Sequence, residues 1–445
     1  MSFPNNDILL LISEHINDQK DKTRLLLVCR NWYSLLLPIA YRKICVESEQ
    51  IYPLVRSIQK NPQIGPAIRH LRVEWSSGSE DEFANYEVDD LTKTLKPSES
   101  DKNLDEWKED LRKGCPDAWL VVLVLSAEFV KTLDLNVYCY SPHFFRMLAQ
   151  ITKENPFGSK PALQHLEIAR VWTDDMKTHY LANELLPFFS LPAMREFNGG
   201  GICEYEEDNS KEPAVAVRGP GTSGITKINL GGHRTNNGSK GMADFIRSCA
   251  NLEIFEYQHD NKAIWGESYS DFRPLLFYNA LCSQKHTLRE LRLNNRGENM
   301  PAGFDDEYDG RWDGFGSLAE FHRLRELQIP FFTLVHFGTT NQPKASLVEV
   351  LPPSLEYLNL SYCGDGDFDI VIKNIRGLLA QREQFPNLKK LEVKPDFMVK
   401  IVETYGEFRV PTSTQESFAP IGIMCRELGI DFGFNMHGYH RILLA

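Results

Sequence analysis

The chain has 445 residues, of which 42% are hydrophobic and 25% charged, and a formal net charge of -12. An acidic balance with no basic stripe excludes nucleic acid as the main partner, because phosphate contacts need clustered Lys and Arg. No uninterrupted apolar run reaches the roughly 18 to 20 residues that span a bilayer, so no membrane partner is expected. The length also exceeds one compact core, which implies at least two domains or a repeat array that grows lengthwise.

The first 45 residues read as helical. Helix one is predicted from about Asn6 to Ile16, with Ile8, Leu9, Ile12 and Ile16 on one side. A polar turn at Asn17–Asp21 leads to a second helix from about Lys22 to Leu37, whose apolar arc includes Leu25, Val28, Trp32 and Leu36. Pro38 closes it, and a short third helix is predicted over Pro38–Ile44. Forty-five residues cannot bury that much apolar surface among themselves, so part of it should face a partner or the first repeat. No basic leader or small-residue cleavage site marks MSFPNNDILLLISEHIND as a signal peptide, so an intracellular site, cytoplasmic or nuclear, is expected.

From Leu71 onward an LxxLxL spacing recurs, clearest as LRELRL at Leu288–Leu293, LEYLNL at Leu355–Leu360, LQHLEI at Leu163–Ile168 and LKKLEV at Leu388–Val393. Its central anchors are Leu71, Leu133, Leu166, Phe197, Ile228, Phe255, Leu291, Leu327, Leu358, Leu391 and Leu428, spaced 27 to 37 residues apart after a first gap of 62. A period in that range marks stacked units that cannot bury their apolar faces singly. Each copy should be a strand paired in parallel with the next, returning through a crossover helix. Suitable helices are Pro142–Asn155, Asp174–Phe189, Gly241–Cys249, Asp271–Lys285 and Phe368–Gln384. The predicted fold class is therefore α/β: a curved solenoid with strands on the concave side and helices on the convex side.

Because side chains alternate along a strand, the residue between the two inward anchors faces the concave side. These positions read Arg72, Asp134, Glu167, Asn198, Asn229, Glu256, Arg292, Gln328, Asn359 and Glu392, polar throughout, and they are the candidate recognition surface. Inserted stretches interrupt the array at about 76–110, 199–223 and 295–316; the first is acidic and serine-rich, with a short helix expected around Leu104–Lys113.

Enzyme constellations are missing. There is no G-x-S-x-G, no H-E-x-x-H, and the glycine-rich VRGPGTSG continues into Ile225 where a phosphate loop needs lysine. The nine cysteines form no CxxC pair, and His437 and His440 have no third ligand nearby in sequence. No catalytic residue, metal or cofactor is expected.

The N-terminal segment resembles an F-box, the three-helix module that docks on the adaptor subunit of SCF ubiquitin ligases. The likeness rests on Phe3, Pro4, Asp7, Ile8 and Leu9, on LLLVCRNWYSLLLP from Leu25 to Pro38 with its V-C-R-x-W core, and on Tyr41 and Arg42 where the family has tryptophan and arginine. Followed by irregular repeats, and by PDAWLVVLVLSAEFVKTLDL at Pro116–Leu135, the chain is similar to the F-box/leucine-rich-repeat proteins of fungi. The resemblance implies an F-box domain over 1–45 and a repeat solenoid over 46–445. It implies that Pro4, Ile8, Leu9, Ile12, Leu25, Val28, Trp32 and Tyr41 fill grooves of the adaptor, which carries cullin and RING subunits, while the repeats hold a protein substrate. A non-degradative scaffold that binds the adaptor for assembly or stability is the alternative.

Overall fold

The computed structural model describes residues 6–16, 18–75, 88, 104–136, 141–153, 162–173, 179–204, 219–231, 235, 240, 242–259, 274–295, 314–335, 345–363, 368–395, 412–436 and 439–442. The chain divides into two units, residues 1–201 with 211–225 and residues 202–210 with 226–445.

The first unit begins with three helices, α1 (Asn6–His15), α2 (Gln19–Leu26) and α3 (Arg30–Ala40); α1 and α2 both lie against α3. Asp18 caps α2 by accepting from the Lys20 N–H at 2.6 Å. The single helix expected over Lys22–Leu37 is thus two. The Leu27 and Val28 N–H groups close a turn onto the Arg24 and Leu25 carbonyls, and Cys29 is extended ahead of α3. No Gly or Pro marks this break; it is a packing decision that buries Leu26 and turns Leu27 and Val28 outward. The expected third helix over Pro38–Ile44 is also corrected. α3 runs through Pro38, and Lys43–Glu47 forms strand β1 with Ile44 and Val46 buried. The polar–apolar alternation of KICVE is the period-2 signal of a half-buried strand.

The rest of this unit follows as α4 (Ile51–Lys60), α5 (Ile64–Ala67), β2 (His70–Glu74), α6 (Leu104–Arg112), α7 (Pro116–Ser126), β3 (Thr132–Asn136), α8 (Pro142–Lys153), β4 (Ile168–Trp172), β5 (Tyr180–Leu181), α9 (Ala182–Leu185) and β6 (Glu196–Gly199). Strands β1, β2, β3, β4 and β6 pair in that order, all parallel. α7 is apolar all round and is buried from Asp117 to Val124. The expected short helix in the acidic insertion is α6, and it is not merely solvated. Trp107 Nε1 donates to the Ala118 carbonyl at 3.2 Å and Trp119 Nε1 to the Leu111 carbonyl at 3.0 Å, tying α6 to α7. In place of a helix over Asp174–Phe189, the described part forms β5, α9 and a 3-10 turn at Leu186–Ser190. Pro187 lacks the N–H that a continuing helix needs, and Phe188 and Phe189 pack on Phe197 instead.

The second unit contains β7 (Ile202–Cys203), β8 (Lys227–Leu230), α10 (Ala243–Ser248), β9 (Ile254–His259), α11 (Pro274–Leu281), β10 (Glu290–Asn295), β11 (Glu326–Pro330), α12 (Phe331–Leu334), α13 (Leu347–Val350), β12 (Tyr357–Cys363), α14 (Phe368–Ala380), β13 (Lys390–Pro395), α15 (Thr412–Glu427), β14 (Asp431–Met436) and β15 (Tyr439–Ile442). Strands β8 to β14 pair consecutively in parallel, and β15 closes the edge antiparallel to β14. The anchors Ile228, Phe255, Leu291, Leu327, Leu358 and Leu391 share one register and are buried, as expected from their spacing.

Both units repeat a second device just ahead of each strand. One carbonyl accepts two successive N–H groups of the next repeat: Arg42 from Arg69 and His70, Arg69 from Lys131 and Thr132, Lys131 from Glu167 and Ile168. In the second unit Thr226, Glu253, Arg289, Arg325 and Glu356 do the same. This rung satisfies backbone groups that a crossover would otherwise leave unpaired.

Two anchors are misplaced by the LxxLxL reading. In the structure Leu133 pairs in register with Ala169, so Leu166 precedes β4 and Ala169 is the strand anchor. Likewise Leu391 pairs with Phe432, and Leu428 lies between α15 and β14. Both LQHLEI and LGIDFGF offer two apolar frames three or four residues apart, and the strand frame is set by which carbonyl rung the preceding turn reaches.

Candidate functional site: two protein-interaction surfaces

The first surface lies on the N-terminal helices. On α1, Ile8, Leu11 and Ile12 are exposed, at i, i+3 and i+4, while Leu9 and Ser13 are buried. The helix therefore faces its apolar stripe outward and buries a serine, whose hydroxyl donates to the Leu10 carbonyl at 2.8 Å. Leu27, 83% exposed, and Val28 add to the exposed apolar area at the α2–α3 break. Exposed large apolar side chains of this kind make these helices a candidate interaction surface. Of the residues expected to fill the adaptor, Ile8, Ile12 and Val28 are outward, Leu25, Trp32 and Tyr41 are half-buried, and Leu9 is a core residue. Leu9 is corrected on physical grounds: at 5% exposure it has no surface left to offer a partner. Pro4 lies outside the described residues. Leu11 and Leu27 were not among the expected residues. Leu11 was findable, because it sits three residues from Ile8 on the helical period.

The second surface is the sheet face opposite the anchors. In the first unit its central row is Cys45, Arg72, Asp134, Arg170 and Asn198. Arg170, not Glu167, occupies the β4 position, for the frame reason given above; Glu167 belongs to the carbonyl rung, where Lys131 Nζ bonds its Oε1 at 2.6 Å. Arg72 pairs with Glu74 at 2.6 Å, and burial pushes the Asp134 carboxyl up although Arg72 and Arg170 pull against it.

In the second unit the row is Asn229, Glu256, Arg292, Gln328, Asn359 and Glu392, in register as expected. Arg292 is gripped by three carboxylates: Glu256 at 2.7 Å, Glu290 at 3.0 Å and Glu326 at 3.1 Å. Burial, then the Glu326 charge, raises the Glu290 carboxyl. Gln328 donates to Asn294 at 2.7 Å. Farther along, the Tyr357 hydroxyl donates to Glu392 Oε2 at 2.6 Å, Asn359 Nδ2 donates to the Tyr357 oxygen at 2.9 Å, and Lys390 Nζ meets Glu392 Oε1 at 2.8 Å. Lys390 also stands 4.5 Å from the Tyr357 ring centroid. Burial, then the Glu392 bond, pushes the Tyr357 phenol well above its ordinary range. Asn198, Asn359 and Glu392 are buried in this polar layer, so they shape neighbours rather than meet solvent, which corrects their expected place on the recognition surface.

Among the described residues no group of three His, Cys, Asp or Glu is placed to hold a metal ion, and no helix is long and apolar enough to cross a membrane. Of the described buried thiols, those of Cys249 and Cys425 are pushed up to about 12 by burial.

A family model for the leucine-rich repeat domain matches residues 43–425. The chain belongs to the leucine-rich repeat family. The match starts at the first residue of β1. For a leucine-rich repeat protein, an ordered polar sheet face is a protein-interaction surface built by stacking. No curated protein matches the chain.

Proposed function

We propose that this leucine-rich repeat protein is the substrate receptor of an SCF-type ubiquitin ligase. In this reading residues 1–45 act as an F-box that docks on the SCF adaptor, the repeat sheet faces hold a target protein, and no residue of the chain performs bond chemistry. The observation that carries it is the inverted α1, which exposes Ile8, Leu11 and Ile12 and buries Ser13. Burying an aliphatic side chain is worth roughly 1.5 to 3 kcal/mol, so a helix built this way is stabilised by a partner that covers it. Catalysis would come from proximity, since tethering target and ubiquitin-charged enzyme replaces dilute encounter with an effective concentration of about millimolar.

The test is copurification of the SCF adaptor subunit with the full chain, compared with Ile12→Asp and Val28→Asp. Capture by the wild type and loss in both variants supports the reading. Absence of capture by the wild type, or equal capture by the variants, sinks it. Cullin recovered with ubiquitin transfer to a bound protein identifies a receptor, and adaptor recovered alone identifies a scaffold.

A further inference from the structure

The rung residues that precede each strand carry side chains stacked at the strand spacing, about 4.8 Å apart. In the second unit these side chains alternate in sign or share a carboxylate. Arg289 pairs with Glu253 at 3.5 Å, and Arg325 and Lys389 both pair with Glu356, at 3.5 and 2.7 Å. In the first unit the run is Arg42, Arg69 and Lys131, three cations in succession. Only Lys131 has a rung carboxylate, Glu167. Arg69, half-buried, is bonded to the Pro66 and Ile68 carbonyls and lies 5.2 Å from the Phe129 ring centroid. Arg42 has neither an ion pair nor a side-chain hydrogen bond among the described residues. Like charges at this spacing repel, and the chain as a whole is acidic, so the run is not a by-product of basic composition.

The three cations line a cleft of about 520 Å³, together with Gln63 and His70 and with an apolar wall of Pro38, Ile39, Pro66 and Ala67. That volume is in the range of small-ligand sites. Gln63 and His70 add neutral hydrogen-bonding groups, and the charged groups bearing on His70 are Lys43, Arg42, Arg170 and Lys131, all cations. We propose that this cleft is an anion site that takes a phosphoryl group, held by Arg42 and by Lys131, which exchanges its Glu167 carboxylate for the ligand, with Arg69 as a further fixed charge in the lining. A planar guanidinium and a compact ammonium on residues that line one cleft suit a tetrahedral dianion. The inference goes beyond adaptor docking and does not depend on it.

The experiment is calorimetric titration of the full chain, at constant ionic strength, with inorganic phosphate, pyrophosphate, phenyl phosphate and a short phosphoserine peptide. Saturable one-site binding is expected. Arg42→Gln and Lys131→Gln should each weaken it about tenfold, the loss of one charge-assisted hydrogen bond. Arg42 is exposed, so its variant keeps the fold, and unchanged melting checks this. Bound anion should also raise the His70 midpoint followed by NMR, which a purely structural cation cluster would not do on addition of phosphate. Tighter binding of the peptide than of phenyl phosphate assigns the phosphoryl group to a modified side chain, and the reverse assigns it to a free ester. Either result supports the site. Heats without saturation for every phosphoryl probe, or affinity equal to wild type in both variants, overturn it. Ile12→Asp should leave phosphate binding intact, so failure here and failure of adaptor docking are read separately.

Discussion

Ile12 and Ser13 are neighbours on α1 with burial opposite to their hydropathy: the isoleucine is 51% exposed and the serine 2%. This inversion predicts a separation of roles. Ile12→Asp should leave thermal stability nearly unchanged, within about 0.5 kcal/mol, as surface substitutions do. Leu9→Ala, one turn away and buried, should cost about 2 to 5 kcal/mol by leaving a cavity. Chemical denaturation of both variants checks this, and a larger loss for Ile12→Asp would show that the exposed stripe is core.

The frame of β4 is tested by Ala169 and Glu167. Ala169 has no room in the sheet core, so Ala169→Leu should cost about 1 to 3 kcal/mol by overpacking. Glu167→Ala removes only the half-exposed pair with Lys131 and should cost about 0.2 to 1 kcal/mol. Denaturation midpoints compare them; equal costs would contradict the register of Leu133 with Ala169.

Tyr357→Phe removes the hydroxyl that bonds Glu392 and accepts from Asn359, leaving a nearly buried carboxylate short of one donor. A hydrogen bond to a charged group of this kind is worth about 1.5 to 3 kcal/mol, which is the expected loss. Lys390 still holds the other carboxylate oxygen, so the fold should persist, as circular dichroism would report.

Asp117 gives a pH dependence. Its carboxylate caps α8, accepting from the His143 N–H at 2.7 Å and the Phe144 N–H at 3.4 Å. Burial nevertheless raises its pKa to about 6, against the pull of His143, of Phe144 and of Ser141. A carboxyl raised on folding binds its proton more tightly in the native state. Its contribution is present below the unfolded value near 3.8 and is lost as pH rises through about 6. Asp117→Asn should therefore flatten the fall in stability between those pH values, measured by denaturation at a series of pH. An unchanged slope would remove Asp117 as its source.

Arg292 is shared by the carboxylates of Glu256, Glu290 and Glu326. Arg292→Met should drive the Glu290 carboxyl still higher, since burial and the Glu326 charge would act unopposed by the guanidinium. Carboxyl NMR titration reads the direction, and a fall would mean that the three carboxylates part once the guanidinium is gone.

By itself the sequence determined the parallel stacking and most of the anchor register, because an apolar period of 27 to 37 residues leaves one way to bury each strand's inner face. It also determined the central polar row from Glu256 to Glu392, since side-chain alternation is fixed once the strand frame is known. The tertiary structure alone decided which of two frames β4 and β14 use and where the second helix breaks at Leu27–Cys29. It alone decided that α1 turns Ile8 and Ile12 outward, and that Arg42, Arg69 and Lys131 meet across repeats. The reason is common to all of these. A local period states which residues share a face, but which face is covered, and which distant residues stack on the same rung, depends on neighbours brought in by crossovers.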